Sequence, residues 1–220
     1  MIKISNRLKV IGDMVLKCPS INIMDVGCDH ALLDIYLYQN NSELNILATD
    51  INDKPLERAK ENIEKFNLVD KIELQVSNGI DLLNKNSTVV ISGLGKDTIL
   101  EILNNKDKLK YIDSLIISSH SKLDELRLDI NNLGYKIEEE VSIYDEDKYY
   151  VVIKFVKGKE KLSNKELLLG PYLLNHKDEK VIDYYKYLLD KYNKILNSIP
   201  KDSNKRLEII NVIELIKEEI

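Results

Sequence analysis

Residues 21–50 constrain the fold more than any other stretch. Ile21-Asn-Ile-Met-Asp25 is an apolar run that passes through Asp25-Val-Gly27, after which Cys28-Asp29-His30-Ala-Leu-Leu begins an amphipathic segment. A second apolar run, Leu44-Asn-Ile-Leu-Ala-Thr, ends in an acid, Asp50. Strand, glycine turn, helix, strand, acid is the layout by which open α/β sheets hold an adenosine-bearing ligand. The glycine lets the backbone approach the ligand, and the acid at the tip of the second strand accepts hydrogen bonds from ribose hydroxyls.

The turn lacks the three glycines of a dinucleotide fingerprint, and Asp29 stands where a pyrophosphate would need a glycine. A carboxylate repels a diphosphate and attracts a sulfonium. The residues therefore favour S-adenosylmethionine over NAD.

Hydropathy predicts strands near 21–26, 44–50, 72–77, 88–92, 114–118, 135–144 and 148–156. Helices fall near 30–39, 54–67, 96–104 and 122–133. Alternating strands and helices imply right-handed βαβ units and a parallel sheet. No helix separates the last two strands, which turn through Asp145-Glu-Asp-Lys148 and read as an antiparallel hairpin. The expected fold is therefore α/β with a mostly parallel seven-stranded Rossmann-like sheet, and by analogy of fold its closing hairpin is the pattern of class I methyltransferases. Beyond Lys157-Gly158-Lys159, the stripe Val181, Tyr184, Tyr185, Leu188, Tyr192 and Ile195 lies on one helical face. Pro200 breaks it, and Ile209, Ile213, Ile216 and Ile220 make a second stripe. The expected division is 1–158 as a cofactor-binding domain and 159–220 as a helical, coiled-coil hairpin.

The chain's 220 residues, 44% hydrophobic and 31% charged, suffice for one globular core with an appendage. No apolar run approaches a membrane span, and no signal peptide is apparent. Two cysteines imply neither a disulfide framework nor a metal site, and a reducing cytoplasm is the simplest setting. Three scattered histidines form no metal motif. The net charge of −5 argues mildly against a nucleic-acid partner. It is uneven, however: residues 161–220 hold 11 basic and 10 acidic residues, so the first 160 carry −6.

Each candidate has a plain alternative. Asp25 and Gly27 shape the first turn, which an ordinary strand–helix connection would also need. Asp50 is the ribose acid, or else the beginning of a helix cap with Asn52 and Asp53. Asn78-Gly79 ends the third strand, where methyltransferases place a polar group on the adenine, and is equally a generic turn. Ser92-Gly93-Leu-Gly95 ends the fourth strand and opens space where cofactor and substrate meet. Asp29 and His30 are the candidate reactive pair, although His30 reads equally as a helix-start residue bonded to backbone. The Met24 and Cys28 side chains read as packing, and the tyrosines of 184–192 as helix core more than base-stacking platform.

Asp25-Val-Gly-Cys-Asp29-His30-Ala, Ile91-Ser-Gly93-Leu-Gly95 and Gly170-Pro171-Tyr172 before a helical hairpin resemble the TrmK family of bacterial tRNA adenine-N1 methyltransferases. That family shows D-[IV]-G-S-D-H-A, A-G-M-G-G, an N-terminal S-x-R-L matched by Ser5-Asn6-Arg7-Leu8, and G-P-[FY]. The resemblance covers essentially the whole chain. It implies methylation of N1 of adenine 22 in tRNA, with S-adenosylmethionine as methyl donor and tRNA as partner. No metal or membrane is involved, and a monomer is slightly favoured. Asp29 and His30 become the catalytic pair. The implied cofactor set is Arg7 with Asp25, Gly27 and Cys28; Asp50 and Ile51; Asn78 and Gly79; and Ser92 and Gly93. Departures from the family pattern are Lys96 for a glycine, Ser118-Ser119-His120 for Q-P-N, Ser77-Asn78-Gly79 for G-D-G, and Leu32 for a tyrosine. Other readings of the same fold are a methyltransferase acting on a small molecule or protein, and a catalytically weak RNA-binding relative.

Overall fold

The computed structural model describes residues 1–119 and 121–220. Seven strands form one sheet: β1 (Asn22–Val26), β2 (Asn45–Asp50), β3 (Ile72–Val76), β4 (Ser87–Leu94), β5 (Ile112–Ser119), β6 (Tyr135–Asp145) and β7 (Lys148–Lys157). Their order is β3-β2-β1-β4-β5-β7-β6. The first five are parallel, and β7 runs antiparallel between β5 and β6. This is the expected Rossmann-like methyltransferase sheet.

The helices are α1 (Asn6–Leu16), α2 (Leu32–Asn40), α3 (Asp53–Lys65), α4 (Lys96–Ile102), α5 (Lys106–Leu109), α6 (Leu123–Asn132), α7 (Asn164–Leu169), α8 (Pro171–Asn175), α9 (Glu179–Ser198) and α10 (Lys205–Lys217). The central strands are apolar on both faces, as a covered parallel sheet requires. Ile23, Val90, Ile116 and Val152 pack with the residues of α1–α3. Met24, Val89, Ile91, Leu115, Ile117 and Ile153 pack on the opposite side with α4, α6 and the C-terminal helices.

Three features differ from expectation. Helix α1, which the sequence reading did not assign, is started by Ser5, whose hydroxyl accepts from the Leu8 amide at 3.3 Å. It buries Ile11, Met14 and Val15 and carries Arg7 toward the sheet's C-terminal edge. Helix α2 begins at Leu32 rather than 30, because Asp29 and Ala31 both take left-handed backbone, φ +49° and +53°. The expected boundary at 158/159 is crossed by the core. Leu169, Leu173, Val181, Tyr184, Tyr185, Leu188 and Ile216 share one cluster with β4, β5 and β7. Only past Leu188 does α9 lose its buried residues. There it pairs with α10, and Arg206 Nη1 donates to the Leu196 and Ile199 carbonyls at 2.8 Å each. Among the described residues no helix is long and apolar enough to cross a membrane.

A buried ion pair holds the C-terminal segment down. Arg127 of α6 and Glu140 of β6, both fully buried, meet at 2.8 Å. Arg127 Nη1 also donates to the Leu167 carbonyl at 2.6 Å, and Glu140 accepts from the Tyr172 amide at 3.1 Å. Gly170 crosses over this pair at φ +91°. A Cβ there would overlap the Glu140 carboxylate and lie 2.9 Å from Arg127 Nη2. The Gly170-Pro171-Tyr172 motif is therefore a clamp over a buried salt bridge.

Candidate active site

A cleft of about 430 Å³ opens at the C-terminal edge of the parallel strands, where open α/β sheets bind their ligands. From β1 and its turn come Asp25, Gly27, Cys28, Asp29 and His30. Asp50 enters from β2, Ser92 and Gly93 from β4, and Arg7 from α1. The structure thus gathers nine of the expected site residues around one space. Ile51, Asn78 and Gly79 are not in its wall. Ile51 and Asn78 are exposed on the adjoining rim, which the Ser77 amide ties to the Asp50 carbonyl at 3.0 Å. Gly79 is required by packing: a Cβ would come within 2.8 Å of the Ile102 carbonyl oxygen.

The turn is held from below. The Gly27 and Cys28 amides both donate to the Thr49 carbonyl, at 2.8 and 3.0 Å, and Thr49 Oγ1 donates to the Asp25 carbonyl at 3.1 Å. Gly27 has φ +80°, and a Cβ would meet only Leu94, at 3.7 Å, so its glycine is a matter of conformation more than crowding. Two further non-glycine residues with positive φ follow within four positions, a concentration of backbone strain typical of functional turns. Asp50 Oδ1 accepts from the Asn52 amide at 3.0 Å, which fixes the carboxylate and leaves its other oxygen free. The Arg7 guanidinium lies 4.9 Å over the Tyr150 ring, and its backbone amide is held by Asp145 at 3.0 Å. His30 Nε2 is 3.6 Å from Asp29 Oδ2, and both side chains are open to the cleft. The Cys28 side chain packs into the core, and burial pushes its thiol up, so it is inert.

The sequence reading passed over Asp34. Among the described residues its two carboxyl oxygens, fully buried, have no hydrogen-bond partner, and its neighbour is the equally buried carboxyl of Asp25. Two buried neighbouring carboxyls repel each other when both are ionised. Burial, then repulsion from Asp34, raises Asp25 well above the usual carboxylate range; burial pushes Asp34 up to about 7. The signal was available: Asp34 is the only acid in Leu32-Leu-Asp-Ile-Tyr-Leu.

This donor set discriminates between ligands. Asp25, Asp29 and Asp50 face the space, the buried Asp34 carboxyl neighbours Asp25, and among the described residues Arg7 is the only permanent cation in the wall. A diphosphate would be repelled, whereas a nucleoside bearing sulfonium and ammonium groups fits.

The sequence profile of TrmK, tRNA (adenine(22)-N(1))-methyltransferase, matches residues 23–218. The chain belongs to the TrmK family. It is 26% identical over 235 residues to the tRNA (adenine(22)-N(1))-methyltransferase of Bacillus subtilis, covering 100% of this chain and 98% of that one. M. capricolum TrmK, solved with the natural cofactor product S-adenosyl-homocysteine, is 38% identical, with TM-score 0.83 and coverage of 98% and 96%. A Streptococcus agalactiae protein of the NADB-Rossmann superfamily superposes with TM-score 0.88 at 27% identity, covering 99% and 97%.

One departure from the TrmK pattern has a structural account. Lys96 Nζ lies 2.7 Å from Glu125, 3.3 Å from Asp97 and 3.4 Å from Asp129. The hydrogen bond to Glu125 raises the Lys96 ammonium, so this TrmK chain neutralises the extra cation against α6 rather than adding it to the cleft. Of Ser118-Ser119-His120, the serines are buried at the end of β5, and His120 lies outside the described residues.

The Asp25–Asp34 pair has a pH signature. Both carboxyls titrate above their unfolded value, so their contribution to stability is complete below about pH 4 and is lost as pH rises, Asp34's share through about 7. Replacing Asp34 with Asn, which cannot ionise, removes Asp34's share of that dependence. In thermal melts without ligand, the Asp34→Asn protein should gain on the wild type by roughly a few degrees between pH 5 and pH 8. A difference that does not change with pH would mean that the Asp34 carboxyl is not raised.

Proposed function

We propose that this protein methylates N1 of adenine 22 in tRNA with S-adenosylmethionine as the methyl donor. The observation that carries the reading is the acidic cleft around Gly27 and Asp50 in a chain of the TrmK family. Bound there, S-adenosylmethionine supplies a methyl group activated by a sulfonium.

The residues divide the work. Asp50, braced by the Asn52 amide, accepts hydrogen bonds from the ribose hydroxyls. Gly27 and Gly93 keep the edge of the sheet open, and Ile51 and Asn78 extend it on the adenine side. Arg7, fixed by Tyr150 and Asp145, pairs with a carboxylate, while Asp25 and its partner Asp34 present negative charge to the cationic groups. Adenine N1 has a lone pair and needs no general base, so the protein's task is alignment and charge stabilisation. Asp29 compensates the positive charge that the base gains, and His30 orients the Asp29 carboxylate. N1 lies on the Watson–Crick edge, so a paired adenine must be exposed before it reacts. The C-terminal helices, within residues 161–220 that hold 11 basic and 10 acidic residues, contact tRNA phosphates. The protein works in the cytoplasm, where tRNA is found.

Transfer of label from S-adenosylmethionine to unmodified tRNA, with N1-methyladenosine identified in the digest, tests the activity. Unlabelled tRNA in that assay would refute it. The cofactor assignment has its own test. Asp50→Ala loses hydrogen bonds to a charged acceptor, each worth about 1.5–3 kcal/mol. Calorimetry should show S-adenosylhomocysteine affinity falling by more than tenfold, and unchanged affinity would remove Asp50 from the site.

A further inference from the structure

A second set of side chains on the same edge has no role in the cleft. Tyr144 of β6 and Tyr149 of β7 face each other in the hairpin, ring centroids 5.0 Å apart. Tyr149 continues to Tyr187 of α9 at 4.9 Å. Core packing explains Tyr184 and Tyr185, which are buried and join the main cluster. It does not explain Tyr144 and Tyr187, which end the ladder 55% and 41% exposed. The ladder borders a cavity of about 260 Å³ with Tyr149, Tyr187, Tyr192 and Leu188 in its wall. Lys122, whose ammonium is 3.9 Å from Glu125, and Lys191 also belong to that wall, as does Asp124.

The cavity is at the sheet's working edge, because Ser119 at the end of β5 and Ser121 are part of it. It shares no lining residue with the cofactor cleft. The two approach each other at Gly95, next to Leu94 of the cleft: a Cβ at position 95 would be 3.7 Å from Ser121 Oγ of the cavity. Two separate spaces on one edge allow a group held in this cavity to neighbour a base reacting at the cleft.

We propose that the tyrosine-lined cavity between β5, β7 and α9 binds a second, unstacked nucleobase of the tRNA, with Lys122 and Lys191 beside its phosphates. The proposal rests on the tRNA reading above. Exposing N1 of one adenine breaks local stacking, which leaves other bases with apolar faces in water. An aromatic wall accepts any such base, and flanking lysines take the backbone charge. Holding a second base keeps the opened conformation next to the cleft while the first base reacts.

The chain contains no tryptophan, so Tyr187→Trp introduces a single reporter at a partly exposed position. Unmodified tRNA should quench its emission, saturating with tRNA binding, while a tryptophan placed by Phe66→Trp on α3's side of the sheet stays unquenched. Tyr187→Ala should raise the tRNA Kd by about 5- to 150-fold, with S-adenosylhomocysteine affinity unchanged and the lost rate recovered at saturating tRNA. Bound tRNA without quenching, or an unchanged Kd in Tyr187→Ala, overturns the proposal. A rate loss that saturating tRNA does not recover assigns the cavity to the reacting adenine instead. Emission that follows protein concentration without tRNA makes the face a contact between copies of the chain. Wild-type protein that methylates tRNA while any of these results holds leaves the activity standing and removes only the second-base site; wild-type protein inert toward tRNA removes both.

Discussion

Asp29→Asn should slow methyl transfer by roughly 100-fold or more while changing tRNA affinity little. The base becomes cationic only as the methyl moves, so a carboxylate beside it stabilises the transition state more than the bound substrate. The substitution is well suited to isolate charge. Asp29 sits at φ +49°, a conformation that Asn tolerates better than other non-glycine residues. Its side chain is 66% exposed, so folding does not depend on it. Helix capping offers no alternative explanation, because the cap position of α2 is Ala31 and no side chain bonds there. Single-turnover rates together with a melting curve decide the matter. An unchanged rate in a protein of unchanged stability would move the charge-stabilising role to Ser92–Asp97 or to Asp25.

Arg127→Ala should destabilise the protein by about 3–5 kcal/mol, the usual consequence of removing one partner of a buried pair, and lower the melting temperature by roughly 10 °C or more. Glu140 would be left charged in the core, and the Leu167 carbonyl and α7 would lose their anchor. Since α7 and α8 precede α9, the C-terminal helices should loosen first, and protease cleavage between 159 and 178 should appear before global unfolding. The apolar double replacement Arg127→Met with Glu140→Leu should be less damaging than Arg127→Ala alone, because no charge remains buried. A melting temperature within 2 °C of wild type in Arg127→Ala, a shift worth roughly 1 kcal/mol or less, would show that the pair does not hold the segment.

Reading the chain alone located β1, Gly27, β2 and Asp50 because each is announced locally: an apolar run, a breaker, a second run, an acid. The β6–β7 hairpin was visible for the same reason, since no helical stretch fits between Tyr144 and Tyr149. The Asp29-His30 pair and Gly170-Pro171-Tyr172 carried the TrmK resemblance, although the sequence did not show why the glycine is needed. Helix α1 escaped assignment because its signals, Ser5 and the spacing of Ile11, Met14 and Val15, are as weak as those of many surface loops.

Local order was thus determined by the sequence itself, since periodicity and turn chemistry act over a few neighbouring residues. The strand order, the convergence of Arg7 and Gly93 on one cleft, the neighbouring Asp25 and Asp34 carboxyls, the Arg127–Glu140 clamp and the tyrosine ladder were decided only by the tertiary structure. Burial, pKa and stacking depend on which distant segments the fold brings together. Nothing in Leu32-Leu-Asp34 reveals that another carboxyl lies against it, and nothing in Tyr187 reveals that Tyr149 waits 4.9 Å away.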